Sequence, residues 1–255
     1  QILQALENDK HIMIEKPICL NKNEFDQIKK AKAKKENIKI SSNFVLRSIN
    51  VMKNLKNDIN ISSFGELYYV EADYLWGRIG KLNGWRSRMN YYSIILGAAI
   101  HMIDIIMWIL DSKPVTVYAL ENKTGSKNTN LKFGSFAIIL LTFPNNLIVK
   151  ITGNGPCVHP HFHHLKIFGS EKTFIHNYHD SFYFNRSDDN IKKISLKNQN
   201  SYNQKKNKII TSFIDAIIKP NSDPIVKQNE IFDVMSVCFA AEKSIKIKKA
   251  VSVKY

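Results

Sequence analysis

The run GAAIHMIDIIMWIL, Gly97 to Leu110, constrains this chain more than any other stretch. It is apolar on nearly every side, the mark of a helix enclosed by the rest of its fold. At helical spacing Gly97, His101, Asp104 and Trp108 share one stripe. Burying an imidazole and a carboxylate is costly unless each has a partner. The stripe therefore points either to hydrogen-bonded core residues or to catalytic groups. The apolar stretch extends back to Tyr91, long enough to span a bilayer. Asp104 near a bilayer centre would cost about 3 kcal/mol, and no basic flank brackets the segment. It reads as a core helix, with no membrane partner.

At 255 residues the chain can bury one large core or two modest ones. The net charge of +15 raises the question of nucleic acid. The lysines are scattered among asparagine and isoleucine, and no nucleic-acid module accompanies them. The densest cluster, Lys29 to Lys35, lies on a helix whose apolar face is Phe25, Ile28 and Ala31, so it reads as a solvated face. Lys205, Lys206 and Lys208 sit before another amphipathic helix in the same way. No nucleic-acid partner is expected, although the basic field would attract an anionic substrate. Cys19, Cys157 and Cys238 form no Cys-x-x-Cys pair, which argues against a disulfide framework or structural zinc and for a reducing, cytoplasmic setting. No targeting signal is visible.

The opening reads helix, strand, helix, strand: Ile2 to Asn8, His11 to Ile14, a helix from Asn21 to about Lys35, and Ile38 to Ser42. Asn21 with Glu24 has the form of a capping box. This is the grammar of a parallel sheet with crossover helices, but too little of it for a complete domain. With a first helix already under way at Gln1, the chain reads as a fragment or a processed product. After Asn43 the grammar changes. A helix over Ser48 to Lys56 precedes a long strand, Gly65 to Trp76, then the loop WGRIGKLNGWRSR and the apolar helix. Strands follow in quick succession over Val115 to Glu121, Ser135 to Phe143, Leu147 to Thr152 and His161 to Phe168, with Pro144-Asn145-Asn146 as a hairpin turn. Shorter strands are expected near Thr173 to Ile175, Ser181 to Phe184 and Ile191 to Leu196, then helices over Tyr202 to Ile218 and Asn229 to Ile247 and a strand at Val251 to Val253. The expected fold is α/β plus α+β. Residues 1–43 would be the remnant of a parallel α/β domain, and residues 44–255 a domain with a large open antiparallel or mixed sheet covered by helices on one face.

Ligands of open α/β sheets bind at the carboxyl ends of the strands. The strand ending in Glu15-Lys16-Pro17 would therefore aim Lys16 into a crevice, where partial desolvation suits a lysine to proton transfer. In the loop before the apolar helix, Arg78, Trp85, Arg86 and Arg88 can contact a substrate: guanidinium forks hold carboxylate or phosphate, and tryptophan stacks on a ring. Tyr92 can donate to a substrate oxygen. His159, His161 and His163 would share one side of an extended chain, but without a carboxylate or second ligand segment they read as polar lining of the pocket or of an interface, not as a metal site.

HIMIEKP resembles the Glu-Lys-Pro segment of the Gfo/Idh/MocA oxidoreductases, and GAAIHMID their Gly-x-His-x-x-Asp helix. SNFVLR, FGELYYVEADY, HHLKIFGSEKTF and FIDAIIKPNSDPIV agree in the same order, so the resemblance covers essentially the whole chain. It implies an N-terminal Rossmann domain, here truncated, and a C-terminal α/β domain whose sheet mediates homo-oligomer formation. It implies hydride transfer between NAD or NADP and a hydroxyl or carbonyl carbon of a sugar, polyol or nucleotide sugar. Glu15, Lys16 and Pro17 would border the cofactor, His101 would be the general acid/base, and Asp104 a supporting residue. His161 and the loop residues would meet substrate. Gly97 stands where many members carry an aspartate, and Ala99 where they carry a glycine. That reduces the frequent Lys-Asp-His set to Lys16 and His101, which disfavours an inositol-dehydrogenase-like reading and leaves the sugar and nucleotide-sugar branches. No Gly-x-Gly-x-x-Gly turn occurs in the 255 residues, so the pyrophosphate half of the cofactor site is not among them. The alternative is a binding and oligomerisation module without catalysis.

Overall fold

The structure, a computed structural model, describes residues 1–186, 188–195, 202–219 and 222–255. Its opening is α1 (Ile2–Glu7), β1 (Ile12–Ile14), α2 (Lys22–Ala33) and β2 (Ile40–Ser42), and β1 pairs with β2 in parallel. Phe25 and Ile28 on α2 are buried, as its spacing requires. Lys32 is buried too: its ammonium donates to the carbonyls of Lys35 (2.9 Å) and Glu36 (3.4 Å) and so closes the end of the helix. The expected capping box is only half formed. The Asn21 side chain accepts from the Glu24 amide at 2.9 Å, but the Glu24 carboxylate turns to the amide of Leu20.

From α3 (Asn50–Asn60) onward the molecule is built on one nine-stranded sheet. Its strands are β3 (Leu67–Leu75), β4 (Thr116–Asn122), β5 (Phe136–Thr142), β6 (Ile148–Asn154), β7 (Phe162–Gly169), β8 (Lys172–His176), β9 (Asp180–Asn185), β10 (Asp188–Ser195) and β11 (Val251–Ser252). They lie in the order β10-β9-β8-β7-β3-β6-β5-β4-β11. Every pairing is antiparallel except β3 with β6, which makes the sheet mixed. Asn145 and Asn146, at φ of 61° and 62°, turn β5 back into β6, a left-handed conformation that asparagine tolerates. The expected strand end at Leu196 and the Pro220-Asn221 part of the FIDAIIKPNSDPIV segment lie outside the described residues.

Three helices, α4 (Ile100–Leu110), α5 (Tyr202–Ile218) and α6 (Gln228–Ile247), complete the fold. One face of the sheet carries Val70, Ala72, Val117, Ala119, Ile139, Val149, Ile151, Leu165 and Ile167, all fully buried, with α4 packed on β3 and β6 and α6 on β4. The opposite face carries no helix among the described residues. The apolar run does form a buried helix, but not a uniform one. Ile95–Ala99 is a π-helical turn, and regular α-helix begins at Ile100. Such turns are rare and frequent at functional sites.

Candidate active site

Lys16 ends the parallel strand and reaches across to the π-turn, where its Nζ donates to the Gly97 carbonyl at 2.6 Å. The Lys16–Pro17 bond is cis. Burial and the Arg86 charge lower the Lys16 pKa to about 8, against the opposing pull of Glu15. Glu15 itself is exposed, and its Oε1 accepts from Asn43 Nδ2 (2.9 Å) and Lys206 Nζ (3.0 Å). Lys206 is thus not a free surface cation but a partner of the strand end.

One turn beyond Gly97, His101 lies against the sheet. The Tyr74 ring stacks on it at 5.6 Å, with Phe44 and His163 edge-on at 6.3 Å. Burial first, then the charge of Lys16 and the neighbouring His163 and His161, hold its pKa well below the usual imidazole range. His101 is therefore neutral at neutral pH, and its buried Nδ1 has no hydrogen-bond partner among the described residues. A neutral imidazole has a ring nitrogen free to accept a proton, while burial and the Lys16 charge that keep it neutral oppose a lasting positive charge there.

Asp104 points elsewhere. Arg47 grips it, with Nη2 to Oδ1 at 2.6 Å and Nε to the two carboxylate oxygens at 3.1 and 3.2 Å. The same guanidinium reaches Glu230 at 2.5 Å. Burial pushes the Asp104 pKa up to about 6, opposed by Arg47. Of the supporting roles open to Asp104 the structure shows helix anchoring, not orientation of the imidazole. Arg47 escaped the sequence reading of the site. The signal was there: a lone arginine closing the apolar FVLR run, in a chain with a buried carboxylate in need of a cation.

The loop residues divide. Arg86 is half-buried, its guanidinium over the rings of Trp76 (4.8 Å) and Trp85 (4.2 Å). Tyr92 is buried, and its hydroxyl lies against Gly97: a Cβ at that position would come within 2.1 Å of it. Burial raises the Tyr92 pKa to about 12, opposed by the Arg86 charge and by the hydrogen bond that the guanidinium offers the phenol oxygen. Arg78 and Trp85 are exposed, and the Arg78 charge acts on His161. Arg88 does not join them. It lines a separate groove with Leu20, Tyr91, Phe239 and Lys243, because its turn points it toward α6. His161 donates from Nδ1 to the Leu75 carbonyl at 3.0 Å, and burial with Arg78 lowers its pKa to about 4. His161 and His163 both face Tyr74, at 5.2 and 4.8 Å. His159 turns away to His164 and Tyr178, so the three histidines do not share one side. Among the described residues no three His, Cys, Asp or Glu side chains gather as a metal would require.

The end of a parallel strand thus meets a helix laid on a large mixed sheet. A family model described as the oxidoreductase family, C-terminal alpha/beta domain, matches residues 56–253. The chain belongs to the Gfo/Idh/MocA oxidoreductase family. Glycosyl hydrolase family 109 protein 4 of Phocaeicola vulgatus is 27% identical over 183 residues, which are 59% of this chain and 34% of that protein. The chain thus spans about a third of this curated relative. Among solved structures, myo-inositol 2-dehydrogenase from Lactobacillus plantarum superposes with a TM-score of 0.82 at 18% identity, covering 99% of this chain and 76% of that one. An NAD binding oxidoreductase from Klebsiella pneumoniae gives 0.86 at 14% identity, over 100% and 76%. Scyllo-inositol dehydrogenase from Lactobacillus casei, solved with NAD(H) and scyllo-inositol, gives 0.78 at 16%, over 98% and 75%. At these identities the likeness is one of fold.

Proposed function

We propose that this chain supplies the substrate half of an NAD(P)-dependent oxidoreductase acting on a hydroxyl or carbonyl carbon of a sugar, polyol or nucleotide sugar. The observation that carries the reading is the placement of Lys16 and His101 about one turn of a single helix, with Lys16 bonded to Gly97 and its charge acting on the imidazole. The nicotinamide, when bound, accepts or gives the hydride. Glu15, Lys16 and Pro17, at the carboxyl end of β1, would border it. In the oxidative direction Lys16 orients the substrate hydroxyl and stabilises negative charge on its oxygen. His101, held neutral, takes the hydroxyl proton. Tyr74, stacked on the imidazole, excludes water from one of its faces. The 1–43 segment would be the cofactor-side remnant and 44–255 the substrate and assembly domain.

The bare face of the sheet would hold a second copy of the chain, since Leu120, Leu140 and Ile148 are 47%, 41% and 49% exposed there. The free cysteines fit a reducing, cytoplasmic setting, and no helix among the described residues is long and apolar enough to cross a membrane.

The test is a panel of sugars, polyols, nucleotide sugars and aryl glycosides incubated with the complete polypeptide and NAD or NADP, followed by absorbance at the reduced-nicotinamide band and by release of the phenol from the aryl glycosides. Cofactor reduction with a carbohydrate is expected. Phenol release without net cofactor reduction would put the protein with its Phocaeicola relative's namesake activity instead. Sugar binding with neither would make it a non-catalytic module.

A further inference from the structure

Two donors beside Lys16 are buried and, among the described residues, donate to no acceptor: Nε of Arg86 and the O–H of Tyr92, whose oxygen faces the Arg86 guanidinium. Neither position is accidental. The two tryptophan rings at 4.8 and 4.2 Å hold the guanidinium plane in place. Gly97 has no side chain, and the Tyr92 hydroxyl fills the space where one would begin, on the same residue whose carbonyl holds Lys16. Burying a donor unsatisfied is costly, more so when it is charged, so the two together mark a place kept for something that accepts.

The local charge says what kind of acceptor. Lys16, Arg86, Arg78 and Lys81 act on one another or on His161 through their fields, and among the described residues none of them has an ion-pair partner. The nearest acid, Glu15, is already bonded to Asn43 and Lys206, and Asp104 to Arg47. A neutral hydroxyl would leave this charge unbalanced, whereas an anionic oxygen pair would take one hydrogen bond from Arg86 and another from Tyr92.

We propose that the substrate carries an anionic oxygen group, a carboxylate or phosphate, held by Arg86 and the Tyr92 hydroxyl beside Lys16. This rests on the oxidoreductase reading for the reaction, not for the binding. Arg86 and Tyr92 then set specificity, and uncharged polyols are poor ligands.

Binding is followed by tryptophan fluorescence, which Trp76 and Trp85 report, on the complete polypeptide with and without NAD. The ligands are glucuronate, galacturonate and glucose 6-phosphate against glucose and galactose. At least one anion is expected to bind about tenfold or more tightly than its neutral parent, and the acid or phosphate arm identifies the group. Arg86→Gln and Tyr92→Phe should remove that preference, while Lys30→Met, an exposed charge on α2, should not. A melting temperature for each variant separates folding from binding. No preference for either anion overturns the proposal, as does a preference that survives in a folded Arg86→Gln protein. Arg86-dependent anion binding without cofactor reduction would sink the reaction but keep this site. Oxidation of a neutral polyol at equal kcat/KM in Arg86→Gln would do the reverse.

Discussion

At the scale of the residue, the site is held away from its most stable state. Lys16 has a folded pKa of about 8 against 10.5 for the free side chain, chiefly from burial and then from Arg86. The unfolded chain therefore binds more protons between those values, and stability rises with pH through that window. Below pH 8 the full penalty for a buried ammonium is present. Lys16→Met removes it and should raise stability at pH 7 by about 1–3 kcal/mol, less what the bond to Gly97 returns. Melting curves at pH 7 and pH 10.5 check this: a gain at the lower pH that vanishes at the higher is expected. Equal gains at both would mean that the charge is not the cost. Gly97 makes a second residue-scale test. Gly97→Ala drives a methyl into the Tyr92 hydroxyl and ring and should cost about 1–3 kcal/mol. Tyr92→Ala should absorb most of that cost, a coupling that a double-mutant cycle reads directly.

At the scale of the element, Arg47 ties α4 to α6 through Asp104 and Glu230. Arg47→Met leaves a buried carboxylate uncompensated and should cost about 3–5 kcal/mol, whereas Arg47→Met with Asp104→Leu should cost much less. Urea unfolding of the three proteins distinguishes this from simple loss of packing. The same triad shows where sequence reading stops. Period-two alternation locates β3 and sets Tyr68, Val70, Ala72 and Tyr74 on one face without saying which face is inner; Val70, Ala72 and Tyr74 are buried, and Tyr68 at the strand's start is exposed. Helix α5 begins and ends at the expected Tyr202 and Ile218, and α6 starts one residue before the expected Asn229. Pairing is another matter. That β3 lies between β6 and β7, parallel to one and antiparallel to the other, depends on contacts far apart in the chain, which local periodicity does not encode. Asp104 was legible as a buried acid, but its partner stands 57 positions earlier. The π-turn was invisible for a related reason: the run is apolar at every spacing, so no periodicity separates one helical pitch from another.

At the scale of the whole molecule, the helices among the described residues cover one side of the nine-stranded sheet. Ile138, Leu140 and Ile148 lie outward on adjacent strands, with Lys150, Glu71 and Lys166 as a charged seam beside them. A second copy on this face would bury the apolar part and keep the seam hydrated at the rim. Sedimentation of the wild type should show a dimer or larger assembly, and Leu140→Glu with Ile148→Glu should yield a folded monomer. A wild-type monomer at tens of micromolar would remove the assembly from the account.

The central claim concerns His101: a neutral imidazole, one turn from the carbonyl that holds Lys16, moves the proton that accompanies the hydride. The direct measurement is kcat of His101→Ala in the complete polypeptide on its best substrate, with cofactor affinity measured alongside. A fall of about 100-fold or more with cofactor affinity unchanged is the predicted result. A kcat within a factor of about two of wild type would contradict it.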